Sequence, residues 1–323
     1  MKDKYGREID YMRISITERC NYRCFYCMPQ EGGECNVETK EENLLSRKEI
    51  VSLVETGARL GIKKVRITGG EPLIRRDIEE ILQGISKVHG IEELCLTTNG
   101  SLLDKKMEVM KECGVTRINV SLDTLIPERF REITKTGDYL SVWKGIERAI
   151  ESGIQVRINS VVVQGINDDE VLNLAALTEK YPIDVRFIEL MPIGEGKKYK
   201  GFSGSEIREK ISHMKKIENL EKREGASDYY RLEGAKGKIG FINPLSNCFC
   251  QECNRIRVTS EGEVKQCLNK KSSINIGEVM RSDRDGTELA EVISKEIYNK
   301  PEKHLFNSLN EFEEKYNMNQ IGG

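Results

Sequence analysis

Short apolar runs rich in β-branched residues alternate with longer amphipathic segments over the first two-thirds of the chain. The runs predict buried strands, and an apolar stripe that recurs every three or four residues predicts a helix. The predicted strands are Met12–Thr17, Lys64–Thr68, Glu93–Thr98, Arg117–Leu122, Gln155–Val163 and Asp184–Leu190. The predicted helices are Arg47–Leu60, Ile78–Val88, Asp104–Cys113, Val142–Ser152 and Asp169–Tyr181, with capping residues expected at Ser46, Ser141 and Asn167–Asp169.

The alternation of six strands with helices predicts a parallel sheet, because parallel neighbours need crossover connections. Polar residues follow the carboxyl end of each strand, which is the rim where α/β barrels build their active sites. We therefore predict an α/β fold, an incomplete (β/α)6 TIM-like barrel. The pattern breaks after Met191, so we expect a barrel domain at residues 1–204 and a C-terminal region at residues 205–323.

The overall charge is nearly balanced. The 323 residues include 51 Lys and Arg against 53 Asp and Glu, which gives a net charge of −2. This balance provides no global attraction to nucleic acid or to an acidic membrane, so an anionic ligand must be held by a local group of cations. No apolar run approaches the roughly 18 residues of a membrane span, and we expect a cytoplasmic protein.

Six of the ten cysteines form two spaced sets. The first set is Cys20, Cys24 and Cys27 in a CxxxCxxC pattern, and the second is Cys250, Cys253 and Cys267 in CxxC-x13-C. Cys248 lies two residues before the second set, while Cys35, Cys95 and Cys113 are scattered. Such clustering indicates metal binding in a compartment where disulfides are rare.

Three thiolates do not complete a tetrahedral zinc site, whereas a cubane iron–sulfur cluster with three cysteine ligands leaves one iron open. We therefore favour a [4Fe-4S] cluster at each set. Half of a zinc site is the alternative for the first set. For the second set, Cys248 as a fourth ligand would give a closed structural site, although a CxC turn strains simultaneous ligation.

The residues Cys20-x3-Cys24-x-Tyr26-Cys27 resemble the signature of the radical S-adenosylmethionine superfamily. Within it, nearly the whole chain resembles the GTP 3′,8-cyclase family of molybdenum cofactor biosynthesis. The segments that carry this resemblance are Met12–Cys24, Arg66–Leu73, Leu96–Gly100, Ile118–Asp123, Arg186–Met191, the second cysteine set and the final Gly-Gly. The resemblance implies two [4Fe-4S] clusters and S-adenosylmethionine as cofactors. It also implies a lyase-type radical enzyme that converts GTP to (8S)-3′,8-cyclo-7,8-dihydroguanosine 5′-triphosphate.

The resemblance also implies roles at matching positions. The first cysteine set would be catalytic, and S-adenosylmethionine would contact Tyr26, Gly69, Gly70, Glu71, Ser121 and Met191. GTP would contact Arg13, Lys64, Arg66, Thr97, Arg157, Arg255, Ile256 and Arg257, with the guanine base at the second cluster. An arginine that points into a barrel is costly unless it meets an anion, which favours this interpretation. The family usually has Lys where Arg157 stands, and the two are not equivalent donors.

The implied partners are an electron donor such as flavodoxin or ferredoxin and a downstream pterin-forming synthase. The sequence leaves the oligomeric state open, a homodimer included, and the Gly322–Gly323 tail is a candidate cover for the barrel mouth. We expect His89, His213 and His304 to lie near none of these motifs. Two alternatives remain, namely a peptide-maturing radical enzyme with an auxiliary cluster and a non-catalytic iron–sulfur or zinc protein.

Overall fold

Six parallel strands, linked by helices, form the centre of the molecule. The structure is a computed structural model that describes residues 1–29, 43–272, 274–282, 287–306 and 317–322. The central strands are β1 (Tyr11–Ser15), β2 (Lys64–Thr68), β3 (Glu93–Thr98), β4 (Val115–Ser121), β5 (Gln155–Val161) and β6 (Asp184–Ile188). They lie side by side in chain order, all parallel, which confirms the predicted barrel-like α/β arrangement.

Helices cover one face of this sheet. They are α1 (Arg47–Arg59), α2 (Ile78–Ser86), α3 (Leu103–Glu112), α4 (Pro127–Thr134), α5 (Tyr139–Glu151), α6 (Val171–Lys180) and α7 (Gly204–Ser212). The apolar stripes of these helices and the strands share one hydrophobic core. Burial of such stripes is the main stabilising contribution to an α/β fold. No helix in the described ranges is long and apolar enough to span a bilayer.

Of the three helix caps predicted from the sequence, one is confirmed and two are wrong. Ser46 caps α1 in a complete capping box with Glu49. The cap predicted at Ser141 is wrong, since α5 begins earlier, after Asp138, whose side chain accepts from Leu140 N. The cap predicted at Asn167–Asp169 is also wrong. Asn167 instead accepts from Val163 N and donates to the Asp123 carbonyl, so it stabilises the loop before α6.

The C-terminal third extends the same sheet at both edges. Its elements are β7 (Ile217–Glu224), β8 (Ser227–Leu232), β9 (Ile239–Ile242), β10 (Arg255–Val258), β11 (Glu263–Lys265), β12 (Ile274–Asn275), α8 (Ile276–Ser282) and α9 (Thr287–Tyr298). Strand β10 pairs in parallel with β1, and β9 pairs in parallel with β6. The sheet therefore has twelve strands in the order β12-β11-β10-β1-β2-β3-β4-β5-β6-β9-β8-β7.

Candidate active site

A cavity of about 810 Å³ lies along the parallel strands, from residues at their amino ends, such as Lys64 and Glu93, to the loops after their carboxyl ends. It is lined by most of the residues that the sequence singles out, namely Arg13, Cys20, Cys24, Tyr26, Cys27, Lys64, Arg66, Gly69, Gly70, Thr97, Ser121, Arg157, Met191, Cys250, Cys253, Arg255, Arg257 and Cys267. Glu71 and Ile256 do not line it. The loops after the carboxyl ends of the strands meet at one end of this cavity, as expected for a barrel-like sheet. Cys250 and Cys253 precede β10, which is parallel to β1, and therefore lie toward its other end.

The first cysteine set lies on the loop after β1. A glycine loop after β2 packs against it, with Gly70 N donating to Thr17 O at 2.7 Å and Glu71 N donating to Arg19 O at 2.8 Å. A Cβ atom at Gly70 would overlap the backbone oxygens of Glu18 and Arg19, so this approach requires glycine. The two loops thereby form one wall of the cavity, with the thiols exposed to it.

Burial dominates the electrostatics of these thiols. It raises the pKa of Cys20 to about 11 and that of Cys27 to about 12, and it raises the pKa of Cys24 as well. The carboxylate of Asp123 acts in the same direction on Cys24 and Cys27. Because thiolates are the metal-binding form, this set acquires its negative charge only when a metal replaces the protons.

Glu71 is fully buried beneath the glycine loop. Its carboxylate accepts hydrogen bonds from Leu73 N at 3.0 Å, Thr98 Oγ1 at 2.7 Å and Asn99 N at 2.6 Å. Burial nevertheless raises the pKa of Glu71 to about 7, against the effect of these bonds. Its side chain thus joins the loops after β2 and β3 instead of facing the cavity.

Tyr26 and Asp123 form a polar pair beside the first cysteine set. The Tyr26 hydroxyl donates to Asp123 Oδ2 at 2.6 Å, and Val161 N donates to Asp123 Oδ1 at 2.8 Å. Burial raises the pKa of Asp123 to about 6. Ser121 and Met191 also line this part of the cavity.

Three arginines form a row across neighbouring strands. Arg257 on β10 is in register with Arg13 on β1, and Arg13 is in register with Arg66 on β2. Burial lowers the pKa of Arg13, and Arg257 adds to this effect by repulsion. Burial also lowers the pKa of Arg257 to about 10, with further repulsion from Arg255. Adjacent buried cations of this kind are costly unless an anion joins them.

Two guanidinium atoms in this region have unmet hydrogen-bonding capacity. Arg255 Nε and Arg257 Nη1 are buried and have no hydrogen-bond partner among the described residues. Buried donors without partners are rare and indicate a ligand or ordered water. Together with the arginine row, defined as Arg257, Arg13 and Arg66, they fit a ligand that carries several anionic oxygens.

The remaining predicted cations already have protein partners. Lys64 Nζ donates to Glu93 Oε2 at 2.6 Å. Arg157 Nε donates to Asp184 Oδ2 at 3.0 Å, and both side chains are buried. The Arg157 guanidinium also lies 5.5 Å from the centroid of the Tyr229 ring. Arg157 is therefore fixed in place by a carboxylate and an aromatic face.

Sequence reasoning missed several polar residues of the cavity, among them Arg186, Tyr11 and Asp123. Arg186 on β6 donates to Asn159 Oδ1 at 2.9 and 2.6 Å, and burial lowers its pKa to about 10. The Tyr11 hydroxyl accepts from Arg66 Nε at 2.5 Å, and Arg66, Arg13 and Arg255 outweigh its burial to lower its pKa to about 8. The argument applied to Arg13, a charge on a strand of a barrel, could have found Arg186.

The second cysteine set lies among cations. Burial acts to raise the pKa of Cys253, but Lys300 and Arg255 outweigh it and lower this pKa to about 7. Lys300 Nζ donates to the Gln266 carbonyl, next to Cys267. The expectation that His304 lies away from the motifs is wrong, because His304 lines the cavity with Cys250 and Cys253. His89 and His213 are exposed, as expected, and Cys35 lies outside the described residues.

Ile256 shows the alternation of a β-strand. Arg255 and Arg257 line the cavity, while the intervening Ile256 side chain is buried in the hydrophobic core. Successive side chains of a strand point to opposite faces, so Ile256 positions its neighbours by packing.

The described end of the chain reaches the arginine row. The Gly322 carbonyl accepts from Arg13 Nη2 at 3.0 Å and from Thr68 Oγ1 at 3.1 Å. Gly322 has φ of 75°, and a Cβ atom there would lie 2.9 Å from Thr68 Cγ2. Met318 and Asn319 line the cavity, so residues 317–322 lie against the site.

The fold and the cysteine loop define a radical S-adenosylmethionine class of protein. A family model described as "Radical SAM superfamily" matches residues 14–178, and one described as "Molybdenum Cofactor Synthesis C" matches residues 183–306. Membership of the superfamily implies a [4Fe-4S] cluster and S-adenosylmethionine. The structure of SuiB from Streptococcus suis has a TM-score of 0.64 to this chain at 18% identity, covering 97% of this chain and 70% of SuiB. That likeness concerns the fold.

Sequence relatives narrow the class further. A GTP 3′,8-cyclase of Clostridium perfringens (strain SM101 / Type A) is 50% identical over 326 residues, covering 100% of both chains. A GTP 3′,8-cyclase of Alkaliphilus oremlandii (strain OhILAs) is 45% identical over 327 residues, again covering 100% of both. The chain belongs to the GTP 3′,8-cyclase family of the radical S-adenosylmethionine superfamily.

Proposed function

We propose that this chain is a GTP 3′,8-cyclase, which joins C3′ of the ribose to C8 of guanine in the first step of molybdenum cofactor biosynthesis. The observation that carries the proposal is a single cavity lined by both three-cysteine sets and by the arginine row. The full-length relatives that bear this enzyme name support it.

Cys20, Cys24 and Cys27 would hold the first cluster. Their thiols line the cavity beside a glycine loop whose close packing leaves backbone groups available to a ligand. When bound, this cluster supplies the electron that cleaves S-adenosylmethionine, which is chemistry of the cofactor itself. The protein would orient that cofactor with Gly69, Gly70, Tyr26, Ser121 and Met191. Glu71 would contribute indirectly, by fixing the loops that carry these groups.

The arginine row would bind the triphosphate. Guanidinium groups suit phosphate oxygens because they donate in a fork, and a ligand anion relieves the repulsion among buried cations. Arg255 and Arg257 each have a buried donor atom without a partner among the described residues, and Arg186 adds a further buried cation. Lys64, Thr97 and Arg157 would complete the nucleotide site at its edges. Arg157 would act through the position that Asp184 and Tyr229 impose on it.

Cys250, Cys253 and Cys267 would hold a second [4Fe-4S] cluster with an open iron for the guanine base. The lowered pKa of Cys253 suits a ligand that must be deprotonated. The substrate would thus be held at both ends, by cations at the phosphates and by iron at the base. A radical selects its hydrogen by proximity, so such fixation determines which ribose carbon reacts.

The tail and the domain division are parts of the same proposal. Residues 317–322 lie against the cavity, where they would exclude water from radical intermediates. Residues 1–204 would supply S-adenosylmethionine cleavage, and residues 205–323 would supply guanine recognition. The boundary between residues 204 and 205 stays a prediction. The two family models meet earlier in the chain, between residues 178 and 183.

Two protein partners belong to the proposal. The first cluster must be reduced for each cleavage, so we include a low-potential donor such as flavodoxin or ferredoxin. The cyclised nucleotide needs a downstream synthase to form the pterin.

A peptide-maturing enzyme is the second candidate function, since the fold resembles SuiB, which has been solved with its precursor peptide. The buried arginine row disfavours it, because a row of cations suits a triphosphate.

Product analysis tests the function directly. Anaerobic chain with S-adenosylmethionine, reductant and GTP deuterated at C3′ should yield the cyclised nucleotide and deuterated 5′-deoxyadenosine, whereas ATP should yield no cyclised product. About eight irons per chain are expected, four for each cluster. Unlabelled 5′-deoxyadenosine, formed at the rate of product formation, would reject hydrogen abstraction at C3′.

A further inference from the structure

A compact group of metal-binding side chains lies beside the cavity. The sulfur atoms of Cys248 and Cys250 and a ring nitrogen of His304 all lie within 4.8 Å of one another. In the described part of the chain, no other group of three or more His, Cys, Asp or Glu side chains meets this spacing. Cys253 and Cys267 do not belong to the group, so it differs from the CxxC-x13-C set.

Arg7 brings the two segments of this group together. Its Nη1 donates to the Cys250 carbonyl at 2.7 Å and to the Glu302 carbonyl at 2.9 Å, and its Nη2 donates to the Pro301 carbonyl at 2.6 Å. Asp3 fixes the guanidinium in turn, with Oδ2 at 2.6 Å from Arg7 Nε. The buried ion pair of Arg7 with Asp3 thus holds Cys250 close to the segment that carries His304, although the two residues are far apart in the sequence.

His304 supplies a ring nitrogen to this group. Phe306 N donates to its Nδ1 at 3.3 Å, so the proton of the neutral ring lies on Nε2. A metal ion takes the place of that hydrogen bond at Nδ1 or of the proton at Nε2. Cys248 is exposed, which gives an ion from solvent a path to the group.

We propose that Cys248, Cys250 and His304 form a mononuclear site for a thiophilic divalent cation, with Zn²⁺ as the ion, in chains whose second cluster is not assembled. Zinc binds sulfur at about 2.3 Å and imidazole nitrogen at about 2.0–2.1 Å in a tetrahedron. The strain that the CxC spacing suggests does not prevent this, because the Cys248 and Cys250 sulfurs already lie within 4.8 Å of each other, and small rotations bring them to those distances. The two thiols release their protons on binding, and water takes the fourth position.

Zinc at this site and the proposed second cluster exclude each other, because both require Cys250. A cubane cluster binds each cysteine to a different iron, whereas zinc holds Cys250 next to Cys248. The site therefore acts as a competitor of cluster assembly. The proposed zinc affinity does not depend on the proposed function. Only the competition between zinc and cluster assembly rests on that function.

Cobalt(II) provides a spectroscopic probe of the site. The full-length chain with Cys20, Cys24 and Cys27 changed to Ser, metal-free and under reducing anaerobic conditions, should bind one Co²⁺ with thiolate-to-cobalt charge-transfer absorption. In that background, Cys248→Ser and His304→Ala should each weaken binding at least about tenfold. Cys253→Ser and Cys267→Ser should leave the affinity within about twofold, as should the matched histidine control His213→Ala.

Two results would overturn the site. Cobalt binding that is abolished by Cys253→Ser but unaffected by His304→Ala would assign the ion to the three-cysteine set. Absence of cobalt binding in a chain with native circular dichroism would also reject it. His304→Gln, which keeps the size of the side chain better than alanine, guards against a folding defect and should lose the absorption as well.

Iron counting then tests the competition. Reconstitution of the unmodified chain with iron and sulfide should give about eight irons, and equimolar Zn²⁺ should remove about four of them. Cys248→Ser should retain the four irons in the presence of zinc. Equal iron loss in both chains would reject the competition. About four irons without zinc would reject the proposed second cluster, while the cobalt result would stand unaffected.

Discussion

The two cysteine sets offer the same number of thiols in different electrostatic surroundings. Cys20, Cys24 and Cys27 lie with Asp123 nearby, and their pKa values are raised. In the second set, Lys300 and Arg255 lower the pKa of Cys253 to about 7, whereas burial raises that of Cys267. The fold achieves this difference by building the first set on a loop of the parallel sheet and the second next to the arginine-bearing strand β10.

In the proposed function, this contrast corresponds to two tasks within one cavity. A sulfonium cofactor is compatible with an acidic, apolar wall, whereas a nucleotide triphosphate requires cations. The two sets are therefore not duplicates, and equivalent substitutions in them should have different consequences.

The largest effect is expected at the first set. Cys24→Ser removes a proposed ligand of the cluster that would cleave the cofactor, so 5′-deoxyadenosine and cyclised nucleotide should both fall below detection. Chromatography of the two products measures this. Cys113→Ser, a buried cysteine away from the cavity, serves as the matched control and should retain both products. Persistent cofactor cleavage in Cys24→Ser would contradict the assignment.

A smaller and selective effect is expected at the second set. Cys267→Ser should preserve formation of 5′-deoxyadenosine but reduce the cyclised product at least about 100-fold, because a misplaced substrate loses the reacting geometry. Cys248→Ser should leave product formation within about twofold. The ratio of product to 5′-deoxyadenosine is the quantity to measure. If Cys267→Ser lowers both compounds equally, the two sets are not separated in function.

A still smaller effect, on GTP binding, is expected when one cation of the cavity is removed. Arg186→Gln removes a buried charge with charge-assisted bonds worth about 1.5–3 kcal/mol, so the KM for GTP should rise about 10- to 100-fold. Cofactor cleavage without substrate should be unchanged. Arg208→Gln, which removes an exposed arginine, is the control. An unchanged KM would remove Arg186 from the nucleotide site.

The effect expected at Glu71 is on stability instead of activity. Its pKa is about 7 in the folded chain and 4.5 ordinarily, so the folded state binds the proton more tightly and the free energy of unfolding falls as pH rises from 4.5 to 7. Over that window, the loss relative to Glu71→Gln should reach about 3 kcal/mol. Chemical denaturation without S-adenosylmethionine measures it, with the exposed Glu55→Gln as control. Parallel pH profiles of wild type and Glu71→Gln would exclude the raised pKa.

The central fold could be predicted because its signals are local. Strands β2 and β3 begin and end at the predicted residues, since buried β-branched runs bounded by polar residues read directly as strands. Helix α4 was missed because its eight residues are mostly polar. Strands β7–β12 were also missed, because they are short and acquire their structure from pairing with distant strands.

The site, too, has features that the sequence predicts and features that only the structure reveals. Cysteine spacing and glycine loops are visible in the sequence, so the cavity walls were predictable. The group of Cys248, Cys250 and His304 was not, because it depends on Arg7, which lies more than two hundred residues earlier in the chain. Likewise, Glu71 reads as a member of a glycine motif, and only the structure reveals that its carboxylate is directed to Thr98 and Asn99.

The pairing of β10 with β1 also determines when the sheet can be completed during synthesis of the chain. During synthesis, β1 has an unpaired edge until residues 255–258 have left the ribosome, because its outer neighbour β10 belongs to the C-terminal third of the chain. At translation rates of about 5–20 residues per second, that interval lasts on the order of ten seconds or more. The loop that follows β1 carries the first thiols, so these thiols are synthesised before the sheet can be completed. An unpaired edge also invites association with other nascent chains, and rapid completion of the C-terminal third therefore protects the protein from aggregation.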